Sequence, residues 1–415
     1  MQPARRFLSF TGAFTCRGCV ARHGLGAPGL RQQHRAFSRS GPRQAAPPGP
    51  SRSGLVSLNS RRLISVSGPD AAKYLQGVIT ANLLAGGPQQ HLRTDSGFYA
   101  AFLTAQGRVL HDVFIYPDVR QDPANSFLLE VDASEAERLQ RHIKRYKLRA
   151  KFDVRVLDED EGRVWHAWND GDDANAAFPT PSSANANIIT VPDTRAPGLG
   201  RRIVTLGNSG SSPVPDLDLP RVAEEGYLIR RYLFGVPEGQ SEILREQALP
   251  HESNIDLMGG VDFHKGCYVG QELTIRTEHR GVVRKRVLPC LIYPSSDGSK
   301  APEKLEYQPA VGQNVRVTAD MVPAEASIGR VGKKGRSAGK WLKGVGNLGL
   351  ALCRLEIMTD VVLPGETGGA GFNAEDEFVV GLGTEGGNGE EQKVKIKAFV
   401  PGWLRERLSS REGSH

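Results

Sequence analysis

Residues 262–286 read DFHKGCYVGQELTIRTEHRGVVRKR. Cys267 stands two residues after Lys265, and Arg276, Arg280, Arg284, Lys285 and Arg286 follow within twenty residues. A thiol beside a lysine, at the positive end of a helix or among arginines has its pKa lowered. The thiolate is the form that acts as a nucleophile or binds a soft metal. Gly266 and Gly270 allow tight or left-handed turns around it. The segment therefore suits a reactive cysteine. The plainer alternative is a small buried hydrophobe, the commonest fate of a lone cysteine. His264 and His279 are near in sequence, but no spacing and no third orienting group makes a Cys–His hydrolase of them.

The chain that must position this segment has 415 residues, enough for two or three domains. No run reaches the roughly 18 apolar residues of a membrane span, so a soluble protein without a membrane span is expected. The formal charge of +7 is concentrated at one end. Residues 1–53 hold nine arginines and no lysine, and no acid occurs before Asp70. Without those nine the rest carries about −2, which gives nucleic-acid binding little electrostatic support. An Arg-rich, acid-free N-terminus has the composition of a mitochondrial transit peptide. Phe7, Phe10 and Phe14 share a helical face, and "RAFS" at 35–38 resembles a processing site. Cys16 and Cys19 form a CxxC inside that leader, with no second CxxC to complete a metal site. Removal of the leader leaves Cys267, Cys290 and Cys353, which suits a reducing matrix and no disulfide scaffold.

A Pro/Gly/Ser-rich linker covers 38–54. Then "RLISV" reads as a strand and "PDAAKYLQGVI" as a helix opened by Pro69 and Asp70. "FYAAFLT" and "RVLHDVFIY" form a hairpin around "AQG", and "FLLEV" is a strand. Residues 134–148 form a helix with a Ser134–Glu137 capping box, and "KFDVRVL" closes the unit. This β-α-β-β-β-α-β order is close to a split ferredoxin-like pattern. "RVWHAW", "NIITV" and "RIVTL" are strands of a second unit, and residues 220–234 a helix begun at Pro220 and ended by Gly235. Sheet followed by helix twice over hints at a duplication. Low-complexity stretches at 170–187 and 207–216 read as flexible inserts. Beyond 288, "VLPCLIY", "NVRVT", "ASIGRVG", "LGLALCRLEI" and "KVKIKAFV" read as a small antiparallel β-barrel over 288–405, with 332–347 a flexible Gly-rich insert and 406–415 a tail.

"KGCYVGQE" resembles the signature of the YgfZ family, relatives of the folate-dependent aminomethyltransferases. "YLQGVITANL" and "LTAQGRVLHDVFIY" are similar to its N-terminal domain. The wider block 235–286 resembles the family's mitochondrial iron–sulfur cluster assembly factor. The resemblance implies an α+β, aminomethyltransferase-like fold over 55–287, of ferredoxin-like subdomains around a central folate-binding cavity. The leader is then 1–37. It implies an assembly role for [4Fe–4S] proteins of the aconitase and lipoate synthase type in the mitochondrial matrix, with A-type scaffold proteins as partners. Cys267 becomes the functional thiol, with Lys265, Gly266, Tyr268, Gly270, Gln271 and Glu272 as its motif. Tetrahydrofolate is the implied cofactor. Asp112 belongs to the cavity, and Arg276 and Arg280 face either that cavity or solvent, while Arg284, Lys285 and Arg286 form a solvated strand face. One cysteine cannot hold a cluster that takes four protein ligands. Cys267 is therefore expected as a shared, transient cluster ligand with a partner, or as a thiol in redox chemistry, and Cys290 and Cys353 as core.

Two departures count against the alternative, a folate-dependent one-carbon transferase. The transferases' hairpin has an acidic pair where this chain has His111-Asp112, and their pterin-binding glutamate matches Leu233. A leucine cannot accept the hydrogen bonds a carboxylate takes from a pterin edge.

Overall fold

The computed structural model describes residues 47–85, 91–93, 96–171, 187–207, 214–295, 299–309, 317–333, 335–363, 371–382 and 392–412. The leader with Cys16 and Cys19, the start of the linker, most of the 170–187 and 207–216 inserts and most of "NVRVT" lie outside the described residues. From Ala45 on, the chain is one compact unit.

In chain order the elements are β1 (Ser53–Ser57), β2 (Arg61–Ser67), α1 (Ala71–Val78), β3 (Leu84–Ala85), β4 (His91–Leu92), β5 (Phe98–Leu103), β6 (Val109–Pro117), β7 (Ser126–Asp132), α2 (Ala136–Tyr146) and β8 (Asp153–Val156). Next come β9 (Gly162–Asn169), β10 (Ile188–Pro192), β11 (Arg201–Leu206), α3 (Glu224–Phe234) and α4 (Gln271–Arg280). Last are β12 (Lys285–Tyr293), β13 (Ser327–Arg330), β14 (Gly339–Val345), β15 (Leu348–Arg354), α5 (Leu355–Met358), β16 (Phe378–Gly381), β17 (Lys393–Ala398) and α6 (Gly402–Glu412).

The first unit follows the sequence pattern. Its antiparallel sheet runs β5-β6-β7-β2-β8. One face, with Ile64, Val66, Phe102 and Ile115, is covered by α1 and α2 through Leu75, Leu139 and Ile143. The other face presents Tyr99, Phe114, Tyr116 and Leu128 to the interior. A strand covered on both faces is buried throughout, and all nine residues of β6 are buried, His111 and Asp112 among them. The start of α2 differs from expectation. Asp132, not Ser134, makes the cap: its carboxylate accepts from the Ser134 N–H at 2.9 Å and the Ser134 hydroxyl at 2.7 Å, and residues 133–135 form a 3₁₀ turn. Asp132 closes an Asx turn that draws Ser134 away from the capping-box role.

The second sheet runs β1-β9-β11-β10. β1 comes from before the first unit, so the repeat of strands and helices is a repeat of composition, not of connectivity. α3 begins at Glu224 rather than at Pro220, whose carbonyl instead accepts from the Leu55 N–H at 2.9 Å. Gly235 ends the helix, as its position predicts.

The last strands close a barrel in the order β12-β15-β14-β13-β16-β17. Here two readings are corrected. Residues 339–345 of the supposed insert are β14, paired with β15, and Trp341 is fully buried. Gly344 and Gly349 leave room for that indole, which a side chain at either position would strike. Glycine therefore marks a packed strand here, not a loop. The supposed tail is α6, held by the Trp403 indole donating to the Phe234 carbonyl at 2.8 Å and by buried Leu404.

Candidate functional site

The cysteine loop is strapped to the end of α1. The Lys265 ammonium donates to the carbonyls of Gln76 and Ile79 at 2.8 Å and of Ala81 at 2.9 Å. Those carbonyls include orphans of a helix C-terminus, where a cation is favoured. Lys265 also lies over the Tyr268 ring, 4.9 Å from its centre. Burial lowers its pKa to about 8, and Asp262 opposes that shift. The Val269 N–H donates to Gly77 O at 3.0 Å and the Asp262 N–H to Thr80 O at 3.0 Å. Gln271 at the start of α4 accepts from the Tyr268 N–H at 3.2 Å, and Tyr268 is buried. Gly270 has φ +80°, and a Cβ there would strike the Thr104 carbonyl oxygen. Glu272 stands in the first turn of α4, where a negative charge complements the helix dipole.

This frame leaves Cys267 exposed, with open space beside Gly266. The expectation that Lys265 activates the thiol changes form. Its three donors go to the last turn of α1 and the chain just after it, so lysine positions the loop while cysteine faces outward. Cys290 and Cys353 are buried in the barrel with their sulfurs 3.7 Å apart. They are core residues, as their apolar strands predict.

Asp112 lies elsewhere, in a buried ion-pair network between the two sheets. Arg61 bonds Glu130 at 2.9 Å, and Arg202 reaches Glu130 at 3.0 Å and also pairs with Glu238. Arg195 bridges Asp193 at 2.7 Å and Glu238 at 2.8 Å, and Tyr227 donates to Glu238 at 2.9 Å. Arg231 binds Glu242 at 2.8 Å. Burial alone would raise Glu238, but Arg202, Arg195 and Arg231 hold its carboxyl well below the usual range. Asp112 accepts from the Gly239 N–H at 3.1 Å; burial raises its pKa, against the pull of Arg61 3.6 Å away. The signal for this network was present in the sequence, as charges of opposite sign inside apolar strands: Glu130 in "FLLEV" and Arg202 in "RRIVTL". It was missed because each strand, taken alone, offers its charge no partner.

His111 faces the other side of the sheet from Asp112. Its Nδ1 meets Gln240 Oε1 at 3.2 Å and its Nε2 meets Arg245 at 3.0 Å. Leu233 packs in an apolar cluster toward the barrel. Arg276 and Arg280 are exposed on α4 and are not brought together with Asp112. Arg284 is exposed, but Arg286 is 2 % exposed and binds Asp256 at 3.0 and 3.1 Å, a correction to the solvated face expected of it. Buried Asp256 supplies the paired oxygens that a guanidinium fork matches.

A cleft of about 280 Å³ opens on the network, lined by Arg61, Tyr227, Arg231, Glu238 and Glu242. It is below the roughly 300–1,000 Å³ of common small-molecule sites. Arg61 Nη1 and Arg231 Nε make no hydrogen bond, but both are buried and face carboxylates, Asp112 at 3.6 Å and Glu238 at 3.7 Å. Its carboxylates Glu238 and Glu242 are already taken by arginines, tyrosines and a backbone N–H.

A barrel set on two sheets around a closed interior is the arrangement of a known class. The fold is that of an aminomethyltransferase: aminomethyltransferase T of the glycine cleavage system from Bartonella henselae matches with a TM-score of 0.54 and 12% identity, over 86% of this chain and 87% of that one. Residues 284–406 match the family described as CAF17, C-terminal beta-barrel domain. An iron–sulfur cluster assembly factor IBA57 homolog, mitochondrial, of Chaetomium globosum is 62% identical over 100% of both chains. Its counterpart in Pyricularia oryzae is 57% identical over 87% of each, and that of Neurospora crassa 51% identical over 98% of this chain and 94% of its own. The chain belongs to the family of mitochondrial IBA57 homologues.

Proposed function

We propose that this chain is a mitochondrial iron–sulfur cluster assembly factor that offers Cys267 as one ligand to a cluster held jointly with cysteines of a partner protein. The observation that carries the reading is the exposed thiol on a loop fixed by Lys265, while the other two described cysteines are sealed in the barrel. A single accessible thiol cannot complete four-thiolate ligation, so the remaining ligands come from outside. The cluster is cargo. The partners are A-type scaffold proteins and the beneficiaries [4Fe–4S] enzymes of the aconitase and lipoate synthase type, in the matrix. One-carbon transfer is disfavoured by the engagement of the interior carboxylates Glu238 and Glu242 with arginines.

The test is complementation of a deletion strain with wild type or Cys267→Ser at equal expression. Aconitase activity and protein lipoylation are read in isolated mitochondria, with a [2Fe–2S] enzyme as control. Loss of only the [4Fe–4S] activities, unrescued by the serine variant, is expected. Full rescue by serine would remove the ligand role and leave a docking protein.

A further inference from the structure

A groove of about 910 Å³ lies on the helix side of the first sheet, opposite the central cleft. Its floor is apolar, with Phe102 and Leu110 from the β5–β6 hairpin and Val78 from α1. Its rim is basic. Arg138, Arg141 and Arg145 recur on one face of α2, and Arg245 approaches from the loop after α3. Glu135 pairs with Arg138 at 3.0 Å, and Glu246, itself solvent-exposed, pairs with Arg245 at 2.9 Å, which offsets that charge only in part. Arg141 and Arg145 have no ion-pair partner among the described residues. Placing like charges on adjacent turns is unfavourable without a counter-charge. His142 lies between them, half-buried, and its pKa is lowered by burial and by the positive charges of Arg245 and Arg145.

Arg245 is held from behind. Gln240 Oε1 fixes the proton of His111 on Nδ1, which leaves Nε2 to accept from Arg245. Burial, with Arg245 itself, pushes His111 down to about 3, so the acceptor stays neutral. The histidine that replaces an acid in the hairpin thus steadies an arginine at the groove without cancelling its charge. His142 and Tyr146, with ring centres 4.7 Å apart, add an aromatic wall.

We propose that this groove binds a small organic anion with an aromatic or branched apolar body and at least two acidic groups, the body on Phe102 and Leu110 and the acids on Arg141, Arg145 and Arg245. The proposal does not rest on cluster ligation by Cys267, although Val269 of the cysteine loop lines one end of the groove.

Fluorescence titration of the full chain with anilinonaphthalene sulfonate, an aryl anion, tests it, followed by displacement with isophthalate. Wild type is expected to show one saturable site from which isophthalate displaces the probe. Arg141→Glu/Arg145→Glu should weaken both ligands roughly tenfold or more. Ala105→Trp, at the exposed hairpin tip that lines the groove, should block them sterically. Arg276→Glu/Arg280→Glu makes the same charge change on α4 and should leave both affinities within about twofold. Circular dichroism confirms that the variants fold. Absence of a saturable site, no displacement by isophthalate, or equal loss in the α2 and α4 pairs would overturn the proposal.

Discussion

At the scale of single residues, Lys265 and Cys267 divide the labour that their spacing suggests for one reactive pair. The lysine ends α1 and the cysteine faces out. Lys265→Met removes charge-assisted bonds to three carbonyls and should cost roughly 2–3 kcal/mol in chemical denaturation. Cys267→Ser should leave the denaturation midpoint where it is. Equal midpoints for both variants would show that the lysine does not hold the loop. The cysteine's importance was legible from its motif, but the lysine's role was not. Its three acceptors lie 184 to 189 residues away in sequence, and no local pattern announces them. The same holds for Arg286, which looks solvated beside Arg284 until Asp256 is brought to it across 30 residues.

At the scale of elements, alternation and turn residues placed the first sheet and its helices closely. They failed where glycine served packing, as in β14, and where a capping motif competed with an Asx turn before α2. The contact between the cysteine loop and the β5–β6 hairpin depends on Gly270 and Gly107 together. A Cβ on Gly107 would lie 2.9 Å from the Gly270 carbonyl oxygen, at φ +81°. Gly270→Ala should therefore displace the loop and lower the unfolding temperature while leaving the cysteine present. Its complementation of [4Fe–4S] enzyme activity should fall with the displacement, and unchanged activity and melting would show that the hairpin does not set the loop's place.

At the scale of the whole molecule, the buried network joins the sheets. Glu238→Gln leaves Arg195, Arg202 and Arg231 short of one charge in the interior and should cost about 3–5 kcal/mol by equilibrium denaturation. A loss under 1 kcal/mol would mean the network is not essential to stability. Acid should weaken the fold early. His111 and His166 are both lowered from 6.5 to about 3, by burial first; nearby arginines add to the shift, while Gln240 at His111 and Asp193 at His166 oppose it. Between those values the unfolded chain binds protons that the native one refuses, so stability falls as pH drops from about 6.5 toward 3. His111→Gln should flatten that slope; an unchanged slope would place the proton uptake elsewhere. The sealing of Cys290 and Cys353 in the barrel also makes the chain its own clock. Among the three described cysteines, an alkylating reagent meets Cys267 at once but reaches the barrel pair only when the strands part. The lag between the adduct on Cys267 and those on Cys290 and Cys353, followed by peptide mass, thus times the breathing of the barrel.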